Sequence, residues 1–215
     1  MTDPEYRPRV AYQGAPGAFG EEAITRYWGG RAEPVGVPTF AAAVDAVRGG
    51  LVRYAVLPVW NSTIGRIAEA WEVLGGGEEE RCLVARAVGE ITIPVRHYLM
   101  ARPGVRLADV TAVMGHPAAL AQCARALAAR GHQPLPAEDS AGAAGALAAA
   151  AHGSLLRVPG SGALVDPRTT ATLGPIGAAS RYRLAVLACA IQDRKDNRTS
   201  FLVVDAGGTN AEPRP

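Results

Sequence analysis

The segment "DNRTSFLVVD", residues 196–205, decides how the chain is organised. Its second half is an apolar, β-branched run typical of a buried strand. A core strand needs only apolar side chains, yet an amide, a cation and two hydroxyl groups lead directly into this one. Polar groups at the mouth of a buried strand indicate that a ligand binds there.

The residues that enter this strand fall on two faces. By the two-residue period of a strand, Asn197, Thr199 and Phe201 share one face, whereas Arg198 and Ser200 share the other. A threonine is also an ordinary strand residue because it is β-branched. Because an amide and an aromatic ring lie on the same face, Thr199 is a candidate for contact with a ligand as well as for packing.

Upstream of this segment, strands and helices alternate. "RVAYQG" (9–14) reads as a first strand and "YAVLPVW" (54–60) as a buried one, and a helical pattern follows each. This order predicts an α/β fold with two lobes, the first containing residues 1–80 plus 188–205 and the second residues 81–187. A chain that leaves a lobe and returns makes a cleft, the expected place for a small ligand. One continuous sheet is the alternative.

Two segments stand apart from this alternation. Residues 153–168 are loop-rich and predict an insertion or a mobile flap. Residues 206–215 are polar and predict a disordered tail.

The composition narrows the class of protein. The chain has 215 residues, 48% hydrophobic, and a formal net charge of only +2. No block of like charges occurs, which argues against nucleic-acid or membrane-surface partners. The three cysteines are far apart and odd in number, so they form neither a disulfide framework nor a metal motif. Without an apolar signal segment, the sequence predicts a soluble, cytoplasmic protein with no bound metal.

Three loops share one design, in which a strand ends, small or hydroxyl-bearing residues follow, and a helix begins. The first two are "YQGAPGAFGEE", with Gly14 and Gly17, and "PVWNSTIGRI", with Asn61, Ser62 and Thr63. A helix start carries unsatisfied backbone N–H groups and a positive partial charge. Three such loops predict a ligand with more than one carboxylate.

The third loop is "VMGHPAALAQC". Pro117 suits the first helical position, which places His116 or Gly115 at the N-cap. A histidine there more often orders the loop than performs acid chemistry. Gln122 lies one to two turns further on, where its amide is available to the backbone or to a ligand.

Five ordered motifs, "AYQGAPGAFGEEA", "VLPVWNST", "GHPAALAQC", "IQD" and "NRTSFLVV", resemble those of the prephenate dehydratase family. The resemblance extends from residue 10 to residue 205. It implies two α/β lobes similar to a type II periplasmic binding protein, with the active site in the cleft. It further implies conversion of prephenate, a dicarboxylate, to phenylpyruvate, water and carbon dioxide in phenylalanine biosynthesis, without a cofactor and in a homodimer.

The family motifs imply roles for individual residues. The catalytic threonine falls on Thr199, with the aromatic of the same motif at Phe201. Thr199 is expected to donate a hydrogen bond to the departing hydroxyl group. The substrate-site asparagine falls on Asn61 and the glutamine on Gln122.

Three positions depart from the family pattern. The usual glutamate before the asparagine is Trp60 here, and we expect this ring to pack beneath the loop. The serine of the third motif is Gly115, which leaves a backbone N–H, expected to be better exposed. The arginine after the threonine is Ser200. If the strand is regular, that position faces away from Thr199 and Arg198 substitutes as the cation, whereas in an irregular strand a carboxylate anchor is lost.

The sequence leaves several functions open. Most family members continue into an ACT domain that binds phenylalanine, and from the polar residues 206–215 we expect a protein without this domain. Two alternatives are an arogenate dehydratase and an enzyme that decarboxylates prephenate without removing the hydroxyl group. A catalytically silent small-anion sensor on the same scaffold is a further alternative, and a solute-binding receptor is the weakest.

Overall fold

The computed structural model describes residues 7–75, 86–151 and 153–206. In chain order, the strands are β1 (Arg9–Gln13), β2 (Glu33–Val37), β3 (Tyr54–Asn61), β4 (Gly65–Arg66), β5 (Arg86–Pro94), β6 (Tyr98–Ala101), β7 (Ala112–Gly115), β8 (Gln133–Pro136), β9 (Leu156–Arg157), β10 (Leu164–Val165), β11 (Thr170–Gly174), β12 (Ala185–Ala188) and β13 (Arg198–Asp205). The helices are α1 (Phe19–Tyr27), α2 (Phe40–Arg48), α3 (Ala68–Val73), α4 (Pro117–Gln122), α5 (Ala124–Ala128), α6 (Ser140–Ala149) and α7 (Ile176–Tyr182).

These elements form two compact units, each a mixed sheet with helices, which is the predicted α/β class. The first unit contains the described residues up to Gly14, those from Gly20 to Pro94 and those from Arg198 onward. The second contains Ala15–Phe19 and Val95–Asn197. Apart from Ala206, the tail predicted from sequence lies outside the described residues.

The sheet of the first unit has the order β2-β1-β3-β13-β5, and β4 pairs with β3. β1 is parallel to β2 and β3, whereas β13 is antiparallel to both of its neighbours. The last strand of the chain is therefore inserted among strands from the first half. The core of the first unit includes these fully or nearly fully buried residues: Ala11, Ala43, Val44, Val47, Ala55, Leu57, Ala70, Leu74 and Val204.

Both ends of α2 are set by residues that favour helix termini. Thr39 is the N-cap of α2, where its side chain accepts a hydrogen bond from the Ala42 N–H at 3.0 Å. Gly49 ends the same helix as its C-cap. Such caps satisfy backbone groups that a helix cannot pair internally.

The extent of the first unit differs from the expectation of a boundary near residue 80. β5 pairs with β13 along its whole length, from Arg86 to Pro94, and so belongs to the first sheet. Residues 188–197 lie in the second unit, where the Asp193 N–H donates to the Gln122 carbonyl at 2.7 Å. Sequence periodicity identifies a strand but not the sheet that it joins, which explains both differences.

The sheet of the second unit has the order β12-β6-β11-β7-β8. β11 is parallel to β7 and antiparallel to β6. Its largest core cluster is apolar throughout: Leu99, Ala101, Val110, Val113, Leu120, Cys123, Leu127, Ala171, Leu173 and Ile191. Within the described ranges, no helix has both the length and the apolar composition that crossing a bilayer requires.

The loop-rich segment 153–168 forms a small two-stranded sheet from β9 and β10. Val158 follows β9 and is completely buried, in a cluster with Met114 and Leu147. The Glu138 N–H also donates to the Pro159 carbonyl at 3.1 Å. The segment therefore packs against the rest of the second unit through the buried side chain of Val158.

Candidate active site

The predicted catalytic threonine and the predicted substrate asparagine are direct partners. Thr199 of β13 stands opposite Asn61 of β3 in the antiparallel register. The Asn61 Nδ2 donates to Thr199 Oγ1 at 2.8 Å, and the two residues are only 4% and 7% exposed. Because a hydroxyl group has one proton and two lone pairs, accepting this bond leaves the Thr199 proton for another acceptor.

Asn61 also organises the turn that follows β3. Its Nδ2 donates to the Arg198 carbonyl at 3.2 Å, and its Oδ1 accepts from the N–H groups of Thr63 at 2.9 Å and Ile64 at 3.3 Å. An amide that bonds backbone N–H groups two and three residues ahead makes an Asx-type turn. These hydrogen bonds therefore fix the orientation of the Asn61 side chain.

The expectation that Asn-Ser-Thr begins a helix is wrong. Asn61 is the last residue of β3, Ser62 and Thr63 lie in the hairpin turn between β3 and β4, and α3 begins only at Ala68, with no side-chain cap from Ile67. The residue types favoured at N-caps are the same ones favoured in tight turns, so the local signal fits both. Gly65, with φ at +78°, supplies the left-handed conformation that the hairpin needs.

Ser62 holds the approach to β13 through the backbone. Its N–H donates to the Arg198 carbonyl at 2.9 Å, and its Oγ accepts from the Arg198 N–H at 3.0 Å. The Thr63 side chain is exposed. These two contacts hold the backbone of Arg198, which immediately precedes Thr199.

A second polar cluster lies in the second unit. Gln122 Oε1 accepts from Asn197 Nδ2 at 3.0 Å and lies 2.9 Å from His97 Nε2. The structure thus brings two predicted site residues, Gln122 and Asn197, together around an imidazole that the sequence analysis missed. The available signal was a histidine directly before the apolar strand "YLMA", the same design of polar residue and buried strand seen at Thr199.

In the other two loops, backbone N–H groups that were predicted to bind the ligand also have partners within the protein. The Gly14 N–H donates to the Val37 carbonyl at 2.9 Å, so it is not a donor for substrate. His116 is the N-cap of α4, as predicted, and its Nδ1 accepts from the Ala118 N–H at 3.2 Å. Its own N–H donates to Ser140 Oγ at 3.1 Å. The argument for a dicarboxylate from three open helix starts therefore fails.

Three further candidates lie at tightly packed positions, and their contact with a ligand stays a prediction. Gly17 has φ at +91°, and a Cβ there would lie 2.7 Å from the Ala178 Cα. Gly115 is buried at the end of β7, so its N–H is not the exposed donor that was expected. Phe201 is 2% exposed, so its ring belongs to the protein interior.

Trp60 does not pack beneath the loop. Its side chain is 44% exposed, which corrects the expectation from sequence. Trp60 directly precedes the buried Asn61 in β3, so alternation directs Trp60 to the face of the sheet opposite Asn61.

Ser200 lies on that same face, away from Thr199. It stands opposite Trp60 in β3 and opposite Thr92 in β5, and its Oγ lies 2.7 Å from Thr92 Oγ1. The bulge near this point places the extra residue, Val59, in β3, so β13 itself is regular. An arginine at position 200 would therefore start from the face opposite Thr199.

The departures at Trp60 and Ser200 are thus two halves of one cross-strand pair. We expect a thermodynamic cycle of Trp60→Glu, Ser200→Arg and the double variant to show favourable coupling of about 0.2–1 kcal/mol, because opposite charges directly across strands attract. Denaturant unfolding of the four proteins measures it. Raising the salt concentration should reduce the coupling, since the pair is exposed. Strictly additive free energies of unfolding would contradict this interpretation.

The described parts of the chain contain no cluster of metal-ligating side chains, and the buried cysteine near Gln122 is unreactive. No group of three His, Cys, Asp or Glu side chains within residues 7–75, 86–151 and 153–206 is placed to hold a metal ion. Burial, assisted by the negative charge of Asp193, raises the pKa of Cys123 to about 12. This cysteine therefore remains a protonated thiol beside Gln122 and is no nucleophile.

Comparison with known proteins assigns the chain to a family. The family model for prephenate dehydratase matches residues 10–208. Arogenate dehydratase 2 of Petunia hybrida is 36% identical over 92% of this chain and 45% of its own length. Prephenate dehydratase of Mycobacterium leprae is 32% identical over 93% of this chain and 59% of its own. The solved structure of prephenate dehydratase from Arthrobacter aurescens in complex with L-Phe has the same fold, with a TM-score of 0.76 and 24% identity over 96% of this chain and 63% of that one. The chain spans about half the length of the curated relatives it matches. On the family match and these identities, it belongs to the prephenate dehydratase family.

Proposed function

We propose that this chain catalyses the decarboxylating dehydration of prephenate to phenylpyruvate, as a carbon–oxygen lyase. The observation that supports this most directly is the hydroxyl group of Thr199, buried and oriented by the Asn61 amide at 2.8 Å. The amide leaves the hydroxyl proton available, which is what a leaving hydroxyl group requires.

The reaction sets modest demands on the protein. The prephenate dianion takes up one proton, the ring C–O bond and the bond to the ring carboxylate break, and water and carbon dioxide leave the phenylpyruvate anion. Formation of the aromatic ring supplies the driving force. The protein must therefore stabilise the departing hydroxyl group and hold the carboxylates in place.

The polar side chains match these demands. Thr199 donates its hydrogen bond to the departing hydroxyl group; because an alcohol is a weak acid, its contribution is polarisation and positioning. Asn61 fixes the direction of that bond. Gln122 contributes its amide N–H groups to a carboxylate, since its carbonyl oxygen is occupied by Asn197 and His97.

Arogenate is the second candidate substrate, and the names of the relatives favour it equally. It has the same ring hydroxyl and ring carboxylate, so Thr199 has the same task with either compound. The product distinguishes them, because arogenate yields phenylalanine.

Purified protein incubated with prephenate at mildly alkaline pH tests the proposal. We expect phenylpyruvate, followed by its ultraviolet absorbance, at a rate above that of a sample without protein; parallel samples with arogenate are analysed for phenylalanine. A non-aromatic dihydro product would indicate decarboxylation alone. Thermal stabilisation by prephenate or phenylalanine without any product would instead support an anion sensor and contradict the proposal.

Assembly and location are also proposals. A homodimer rests on the family resemblance, and light scattering of the purified protein tests it by comparing the solution mass with twice that of the chain. Cytoplasmic location rests on the cysteine pattern. Fluorescence of a tagged chain in cells tests it.

A further inference from the structure

His97 is a buried histidine with an incomplete set of partners. It directly precedes β6 and is 3% exposed. Its backbone N–H donates to Gln192 Oε1 at 3.1 Å, and its carbonyl accepts from the Ile191 N–H at 2.9 Å. The ring stacks edge-on against Phe19, with centroids 5.5 Å apart. The position of the imidazole is therefore fixed by both backbone and ring contacts.

The hydrogen bonds determine which ring nitrogen carries the proton. Asn197 Nδ2 is a donor only, so the Gln122 atom that it contacts at 3.0 Å is an acceptor oxygen. The same oxygen lies 2.9 Å from His97 Nε2, which must then be the protonated nitrogen. Nδ1 is buried and, among the described residues, has no hydrogen-bond partner.

We propose that His97 is a positioning residue for substrate binding: its Nε2–H holds the carbonyl oxygen of Gln122, so that the amide N–H groups of Gln122 bind a substrate carboxylate. This inference rests on the proposed function, because it names the side chain that orients one of its substrate donors. Two protein donors, His97 and Asn197, fill the acceptor positions of the Gln122 oxygen. A rotated amide would oppose donor to donor at both contacts, which fixes one orientation.

The environment of His97 keeps this arrangement stable. Burial lowers the pKa of His97, and the hydrogen bond to Gln122 opposes that shift only in part. The imidazole is therefore neutral at physiological pH, with one donor and one acceptor nitrogen. A neutral ring can hold the amide oxygen without placing a charge beside an anionic substrate.

Two substitutions separate positioning from packing. In His97→Gln, the amide nitrogen can reach the place of Nε2 and still donate to Gln122, whereas in His97→Asn the shorter side chain cannot. We expect His97→Asn to raise KM for prephenate by about 10- to 100-fold with kcat nearly unchanged, because a carboxylate is bound in both ground and transition states. His97→Gln should restore KM to within about threefold of the natural chain.

His132 offers a matched control. It also directly precedes a strand, β8, is 6% exposed, and has a buried Nδ1 without a partner among the described residues. His132→Asn should change thermal stability to a similar degree but leave KM within about threefold. In a Gln122→Ala background, His97→Asn should raise KM by less than about twofold more, since there is no amide left to orient.

An unchanged KM in His97→Asn, or the same rise with and without Gln122, would overturn the inference while leaving the proposed function intact. Nitrogen-15 NMR of the imidazole gives a readout that does not depend on turnover. The spectrum should show His97 protonated at Nε2 and not at Nδ1, and Gln122→Ala should change the chemical shift of Nε2. Protonation at Nδ1 would overturn the inference, whether or not the protein forms phenylpyruvate. If the protein forms no phenylpyruvate but gives the expected signals, only the proposed function is contradicted.

Discussion

Replacing Thr199 with alanine is expected to lower kcat for prephenate by about 10²- to 10⁴-fold, the range associated with loss of a positioned proton donor. The substitution removes the hydroxyl group that accepts from Asn61 and retains the proton for the leaving group. Phenylpyruvate formation under saturating prephenate measures the effect. KM should change little, because the bond to the leaving hydroxyl group strengthens mainly in the transition state.

The same variant should remain folded. One N–H of Asn61 Nδ2 keeps its acceptor, the Arg198 carbonyl at 3.2 Å, while the other loses Thr199 Oγ1. The expected loss in free energy of unfolding is therefore about 1–3 kcal/mol, that of one buried donor without its acceptor. Denaturant unfolding checks this independently of activity.

Two controls give the Thr199 result its meaning. Thr199→Ser keeps a hydroxyl group and should retain activity within about tenfold, with the difference due to the freer rotation of serine. Thr92→Ala removes a hydroxyl group from the other face of the same sheet, where it contacts Ser200. Near-normal turnover in Thr199→Ala, or equal losses in Thr199→Ala and Thr92→Ala, would refute the assignment of Thr199.

Alternation along β13 was predictable because a strand has a fixed two-residue period. The sequence separates Thr199 and Phe201 from Arg198 and Ser200, and the structure shows buried and more exposed positions in that order. The Thr39 cap was predictable for a similar reason, since its hydrogen bond spans only three residues. Interactions of short sequence range can be inferred from residue types alone.

The turn at Asn61 was not predictable in the same way. Its residues are equally suited to a helix N-cap and an Asx-type turn, and pairing of β3 with β4 decides between them. Its contact with Thr199 joins residues 138 positions apart. The His97 contact with Gln122 likewise depends on how β6 and α4 are placed in the second unit. Such pairs follow from tertiary packing, which periodicity does not specify.

The pairing register of β3 and β13 changes how two departures from the family pattern are interpreted. Trp60 and Ser200 are read from the sequence as two independent losses near the site. The antiparallel register places them opposite each other on the face away from Thr199. The retained residues Asn61 and Thr199 are also opposite each other, on the other face of the sheet. The sheet therefore separates a face that has changed from a face that has kept its polar pair.

Asn61→Asp is expected to lower kcat by about 10²-fold or more, although the two side chains are nearly the same size. A carboxylate retains the oxygen that accepts from the Thr63 and Ile64 N–H groups, so the turn is preserved. It cannot donate to Thr199 Oγ1, so the hydroxyl group instead donates its proton to the carboxylate. The proton needed by the leaving group is thereby captured.

The pH dependence of kcat in Asn61→Asp shows whether activity is lost because the carboxylate binds the Thr199 proton or because the fold is disrupted. When pH falls and the introduced carboxyl group becomes protonated, it can donate again, so turnover of the variant should rise relative to that of the natural chain. The uncatalysed reaction is subtracted at each pH. Thr92→Asp, which adds the same charge on the face away from Thr199, should show no such rise. A variant at Asn61 with normal turnover at neutral pH would show that the amide is not what orients Thr199.

Combining the two substitutions separates the loss of the proton from the effect of charge. With alanine at position 199 there is no hydroxyl proton for the carboxylate to capture, so Asn61→Asp should then add only its repulsion of a dianionic substrate. We expect that additional loss to be well below the loss seen with Thr199 present, a strong departure from additivity. Additive losses would mean that Asn61 and Thr199 act on the substrate separately, despite the 2.8 Å bond between them.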